Sequence, residues 1–267
     1  MPITHLTSAV ERAVPLTSAE DVDGAQLRLK VFWPTTTLWN DAHMADYHKE
    51  APAIVQYLIS QQYWNRQGAV DTHRFTCEDF AIRVLCGYAS SRGLPVKLST
   101  GVRAYRNMEV YSPVQHDTYA SHMYGFTEMV MLTYGAPDMQ RPQNTISLSS
   151  PVELRPGDIL AQSKDRPGNR AHHIQLATRV SPERIDIHQG NTGGAFYRPI
   201  STIRRWLGEN LADPQNTAYA GLPIESGQYV RAAKGWDYYN LTTGSKAKDF
   251  LRIFEFYRWN FREFNRP

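Results

Sequence analysis

The period of the apolar positions changes several times along the chain, and each change marks an element. Residues 1–35 mix Ser, Thr, Pro and charge around one strand-like run, Leu27 to Phe32, and read as a lead-in segment. From Asn40 to Trp64 the pattern turns helical, with Ile54, Val55, Leu58 and Ile59 following Pro52, a residue suited to an early helix position. The stretch around Gly68 up to Thr76 breaks it. The best-defined helix begins at Cys77, where Cys77, Ala81, Val84 and Tyr88 recur at helical spacing and Phe80 and Leu85 widen the stripe. Gly93 and Pro95 stop it. Val96 to Val102 predicts a strand, and Ser121 to Tyr134 a Met-rich helix whose stripe of Met123, Phe126, Val130 and Met131 suits a core.

A polar linker over residues 138–150 precedes short strand-like runs at Asp158 to Gln162, His173 to Val180 and Arg184 to Gln189, separated by turn residues. Ser201 suits the N-cap of a helix through Leu211. Near the end, Phe250, Phe254, Tyr257, Phe261 and Phe264 follow a helical period, with Arg252, Arg258 and Arg262 interleaved. This predicts a C-terminal helix packed on the body by its aromatic face. A docking helix or a base-stacking surface is the alternative for the same residues. No internal repeat or low-complexity tract interrupts the pattern.

Composition narrows the function classes. The chain has 267 residues, 42% hydrophobic and 12% aromatic, enough for a packed core. Its formal charge of +3 is spread without a basic block, which argues against a duplex-binding surface. No apolar run approaches the ~18 residues of a membrane span, and the N-terminus lacks a charged region followed by an apolar one. Synthesis in the cytoplasm without a signal peptide is therefore expected. The two cysteines, Cys77 and Cys86, are too few for a disulfide framework or, alone, a zinc site. On one helix they would face opposite ways.

Cys77 sits where chemistry is favoured. Partial positive charge and free amides at a helix start stabilise a thiolate, and a histidine normally completes such a site by holding the proton. Glu78 and Asp79 suit a helix start, yet would raise the thiol pKa if they pointed at it. Cys86, amid Leu85, Gly87 and Tyr88, reads as core.

The segment Thr76-Cys77-Glu78-Asp79-Phe80-Ala81 resembles the nucleophile helix of papain-like hydrolases, particularly the NlpC-type cell-wall peptidases. Tyr63, Trp64 and Gly68 are loosely similar to the stretch those enzymes place before the cysteine. Leu154-Arg155-Pro156-Gly157-Asp158-Ile159-Leu160, followed by His173-Ile174-Gln175-Leu176, is similar to the family's Pro-Gly-Asp strand and its histidine strand, in the family's order. The resemblance covers roughly residues 63 to 191. It departs where the family usually has Asp before the cysteine and Ser-Gly after it. The interval from Cys77 to Asp158 implies a helical insertion at about 111–150. The helix followed by Gly93-Leu94-Pro95-Val96 is also similar to transglutaminase-like cysteine enzymes. Expected, then, is an α+β, papain-like catalytic domain over residues 36–200. Its nucleophile would start a helix packed on an antiparallel sheet, with a helical C-terminal extension over 201–267.

Of the adjacent His172 and His173, strand alternation puts His172 with Ile174 and Leu176 on the core face and His173 with Gln175 on the other, so His173 is the expected base. If Ile185 and Ile187 join that core face, Asp186 and His188 share the face of His173. A six-residue loop over 178–183 would set His188 opposite His173, whereas a tight turn at Pro182-Glu183 would carry it out of reach. The resemblance favours His188 as the third member, with Asp186 and Asn191 in reserve. A zinc site from His172, His173, His188 and Asp186 is disfavoured by the divergence of adjacent strand residues. Gly190 to Gly194 lacks the setting of a phosphate loop. No cofactor is expected.

What the resemblance implies is a cysteine hydrolase of amide bonds in peptidoglycan peptides. Without an export signal, delivery as an antibacterial effector by a contractile secretion system, with a cognate immunity protein, would bring it to that substrate; phage-type release is another route. The alternatives are a protein-directed protease, deamidase or transglutaminase-like toxin, and a non-catalytic binding module docking through its aromatic C-terminus.

Overall fold

A computed structural model of the chain describes residues 28–60, 62–64, 70–72, 74–191 and 221–266. Leu29–Val31 (β1) leads to the helix Asp41–Ser60 (α1), the short strands Gln62–Trp64 (β2), Val70–Thr72 (β3) and Arg74–Phe75 (β4), and the helix Cys77–Arg92 (α2). Lys97–Ser99 (β5), Ala104–Arg106 (β6) and Met108–Val110 (β7) precede the helices Pro113–Thr118 (α3) and Met123–Val130 (α4). The strands Thr145–Leu148 (β8), Ile159–Gln162 (β9), His173–Val180 (β10) and Arg184–Gln189 (β11) follow. Leu222–Pro223 (β12), Glu225–Arg231 (β13), Trp236–Asn240 (β14), Lys246–Ala247 (β15) and Phe254–Trp259 (β16) lead to the closing helix Phe261–Phe264 (α5). The mixture of separate helices and antiparallel strands is α+β.

Helix α1 is capped by Asn40, whose Oδ1 accepts from the His43 amide at 2.9 Å. Pro52 lies well inside it, so the helix start is set by that cap and not by the proline. Tyr47, His48, Ala51, Val55 and Leu58 form its buried stripe. Helix α2 is buried along most of its length because it is wedged between α1, α4 and strand β10. Its buried Asp79 and Arg83 pair at 3.0 Å, and the guanidinium lies over the rings of Phe75 and Tyr124. Gly93 ends the helix in the left-handed region at φ 62°.

Eight strands form one sheet in the order β15-β14-β13-β11-β10-β9-β16-β8, each neighbouring pair antiparallel. Both of its faces are buried. Ile159, Ala161, Ile174, Leu176, Tyr257 and Trp259 pack under the helices. Leu160, Ala177, Ile185, Ile187, Tyr229 and Phe254 point the other way into a second core with Tyr238, closed by Leu251 of the turn Phe250–Ile253.

Two expectations are corrected here. The described part of the C-terminal segment, residues 221–266, is built mainly of strands and is not a helical extension. Phe250 lies in a 3₁₀ turn, Phe254 and Tyr257 on opposite faces of β16, and Phe261 and Phe264 on α5, so the helical spacing of these rings spans three unlike elements. Phe254, Tyr257, Phe261 and Phe264 are buried, and β16 lies inside the sheet, which removes them as an exposed docking or base-stacking surface. The linker 138–150 holds β8, an edge strand of the sheet. The expected insertion thus begins with α3 and α4 but returns to the main body. The expected helix from Ser201 to Leu211, Gly193 and Gly194, and most of the lead-in segment lie outside the described residues.

Candidate active site

Cys77 is the first residue of α2. Thr76 caps the helix, its hydroxyl accepting from the Asp79 amide at 3.4 Å. The amides of the first turn have no partner within the helix and point toward the space at its start. Gly190, just past the end of β11, presses on this turn. A Cβ there would stand 2.5 Å from the Phe75 and Thr76 carbonyl oxygens, so only glycine lets the strand end meet the nucleophile turn. On the β10 side, α2 packs against the strand, and the Ile174 amide is near enough to Cys77 to draw the thiol pKa down. Cys77 is thereby held near Ile174, which lies on the helix-facing side of the sheet, while His173 shares the side of Gln175 and Gln189.

The thiol donates to Oε2 of Glu78 at 2.9 Å. Burial first, and then the Glu78 carboxylate, push the thiol pKa well above its ordinary value, while the Ile174 and Glu78 amides pull it down. Cys77 therefore rests as a neutral thiol. Cys86 is fully buried in mid-helix, and burial pushes its pKa up as well.

His173 has a partner that sequence reasoning missed. Its Nε2 lies 2.9 Å from Oε1 of Gln189, at the end of β11. The surrounding amides fix how that contact is made. The Tyr229 hydroxyl donates to Gln175 Oε1 at 2.8 Å, and Gln175 Nε2 donates to Gln189 Oε1, also at 2.8 Å. Gln189 Nε2 in turn donates to Glu225 Oε2 at 2.8 Å. Gln189 Oε1 is thus an acceptor, so the imidazole must donate from Nε2, and Nδ1 keeps the lone pair a general base needs. Burial lowers the His173 pKa, opposed by the hydrogen bond to Gln189 and the charge of Glu225. A neutral imidazole and a neutral thiol are the resting forms that general-base activation would need.

Comparison with protein-family models, curated proteins and solved structures gave no match.

The other expected residues fall elsewhere, for one physical reason. Near the turn Val180 pairs with Ile185 and Arg179 with Asp186, but Thr178 is left unpaired in a bulge. Beyond it Ala177 pairs with Ile187 and Leu176 with His188. One extra residue reverses the parity of the strand, and burial of both sheet faces removes the rule that all the apolar residues must share one. His188 is therefore set on the face of Leu176, bonded to Thr178 at 3.1 Å, and is not brought to His173. Asp186 pairs with Arg184. The Asn191 carbonyl accepts from the Leu222 amide. His172 pairs with Asp165 at 3.0 Å on the rim. These residues do not converge, and no group of His, Cys, Asp or Glu among the described residues could hold a metal.

The Pro-Gly-Asp motif has a structural role. Asp158, fully buried, accepts from the Arg155 amide at 2.8 Å and from Arg258 of β16 through Nε at 3.0 Å and Nη2 at 2.7 Å. Even so, burial raises its pKa to about 6. His48 of α1 donates from Nδ1 to the Pro156 carbonyl, and Tyr47 donates to that of Gly157. The motif clamps the start of β9 to α1 and β16, and so fixes the sheet on which His173 stands.

Proposed function

We propose that the chain is a papain-like cysteine hydrolase of amide bonds in which Cys77 is the nucleophile, His173 the general base and Gln189 the residue that orients the imidazole. The observation that carries this reading is the 2.9 Å contact of His173 Nε2 with Oε1 of Gln189, on a strand packed against the helix that Cys77 begins. The Cys77 sulfur attacks the amide carbonyl as its proton passes to His173 Nδ1. The imidazolium, held by Gln189, returns that proton to the leaving amine. Water, deprotonated by the same nitrogen, then hydrolyses the thioester. The amides at the very start of α2, ahead of the Asp79 and Phe80 amides that bond Thr76, would donate to the oxyanion.

Peptidoglycan peptides are the substrate class that the NlpC-type resemblance suggests, with delivery into a target cell envelope and an immunity partner as corollaries. A protein substrate fits the same three residues. Digestion of purified peptidoglycan and of a protein mixture with wild type and Cys77→Ala, read by mass spectrometry, separates the two. New termini in the first alone support the cell-wall reading. New termini in the second alone move the assignment to a protein-directed enzyme, and none in either leaves the binding module.

A further inference from the structure

We propose that Glu225 is a positioning residue for His173, acting through the carboxamide of Gln189. It is the first residue of β13 and the direct cross-strand partner of Gln189 on β11. Its Oε2 accepts from Gln189 Nε2 at 2.8 Å and from Asn240 Nδ2 of β14 at 2.7 Å, so two donors from two strands fix the carboxylate. Among the described residues no Lys or Arg pairs with it. A carboxylate can only accept, and this dictates which end of Gln189 faces it. The other end is then committed to His173. Exchange of the two ends would turn an oxygen toward the Glu225 carboxylate and an NH2 toward the Gln175 NH2, which leaves both contacts repulsive.

The same group supplies charge. When His173 takes the proton from Cys77, it becomes a cation, and Glu225 lies one carboxamide away with no Lys or Arg among the described residues paired to it. Among the described residues, the other titratable groups that bear on this network are His172 on the same strand, which opposes a second positive charge, Tyr229 bonded to Gln175, and Tyr238 against Glu225 and Gln189. Glu225 is the residue in this set that favours the imidazolium while holding the orienting group in place.

The inference rests on the hydrolase reading for its purpose, but its test does not need a substrate. Nuclear magnetic resonance of the full chain with 15N-labelled histidine reports the His173 tautomer and its titration directly. In the wild type the neutral ring should carry its proton on Nε2; a ring protonated on Nδ1 would overturn the proposal without any variant. Glu225→Gln keeps an acceptor for Gln189 and Asn240 but removes the charge. It should lower the His173 midpoint by about half a unit, a roughly threefold loss of imidazolium at pH 6. An unmoved midpoint in a folded Glu225→Gln sinks the proposal, because a merely structural Glu225 would leave it unchanged. If the midpoint moves but no substrate is cleaved, the positioning role stands and the hydrolase reading falls.

Discussion

At the scale of single residues, the contact between the Cys77 thiol and Glu78 sets the resting chemistry. A carboxylate 2.9 Å from sulfur disfavours the thiolate, so Glu78→Gln should lower the thiol pKa. Each unit of that drop raises the thiolate fraction about tenfold below the midpoint, and alkylation of Cys77 at pH 8 should speed up accordingly. Alkylation rates followed by mass across pH give the result, with Cys86 unreacted in both proteins as an internal control. An unchanged profile would mean that Glu78 turns away from the thiol in solution. Gln189 and His188 make a second contrast. Gln189→Ala removes the acceptor that selects the imidazole tautomer and should cut turnover by about 10- to 100-fold on the substrate identified by digestion, whereas His188→Ala should leave turnover within about twofold. The reverse order would restore the register expected from the sequence.

At the scale of elements, the helix at Cys77 is legible from its apolar spacing and the Gly93 that stops it, and strands β10 and β11 from short apolar runs between turn residues. What the sequence does not show is how elements meet. The bulge at Thr178 leaves no local mark, and it moves the partner of His173 from His188 to Gln189. A glutamine at the end of an apolar strand was visible, and so was Gln175 two residues past the histidine. Neither carries charge or a family motif to draw attention. Strand β16 was hidden because aromatic residues on both of its faces abolish alternation. Its Arg258, interleaved among those rings, is the counterion of the Pro-Gly-Asp carboxylate. Arg258→Met would leave Asp158 buried without its cation and should cost about 3 kcal/mol by urea unfolding. Adding Asp158→Asn should recover much of that loss, since the stranded charge goes with it. Equal losses in the single and double variants would show that Arg258 acts by packing alone.

At the scale of the whole molecule, the helices and the sheet are joined through a titratable pair whose two halves respond to pH with opposite sign. His48 of α1 lies 3.9 Å from Asp158 of β9. Its pKa is lowered to about 4, by burial first and then by the charges of Arg258 and Arg155, against the hydrogen bond to Pro156. Between pH 6.5 and 4 the unfolded chain protonates this histidine and the folded one does not. Its contribution to stability is therefore full above pH 6.5 and lost as the pH falls toward 4, by about 3 kcal/mol. Asp158, raised to about 6, works the other way: the folded state holds its proton where the unfolded state has released it, so its contribution fades as the pH rises through 6. The two slopes oppose each other between pH 4 and 6, and the junction between the layers keeps a nearly constant strength there. His48→Gln keeps a donor for the Pro156 carbonyl and removes one slope. Its stability deficit against wild type, from urea unfolding, should be greatest at pH 7 and shrink by up to about 3 kcal/mol at pH 4. A deficit of the same size at both pH values would show that His48 does not titrate differently in the folded and unfolded chains.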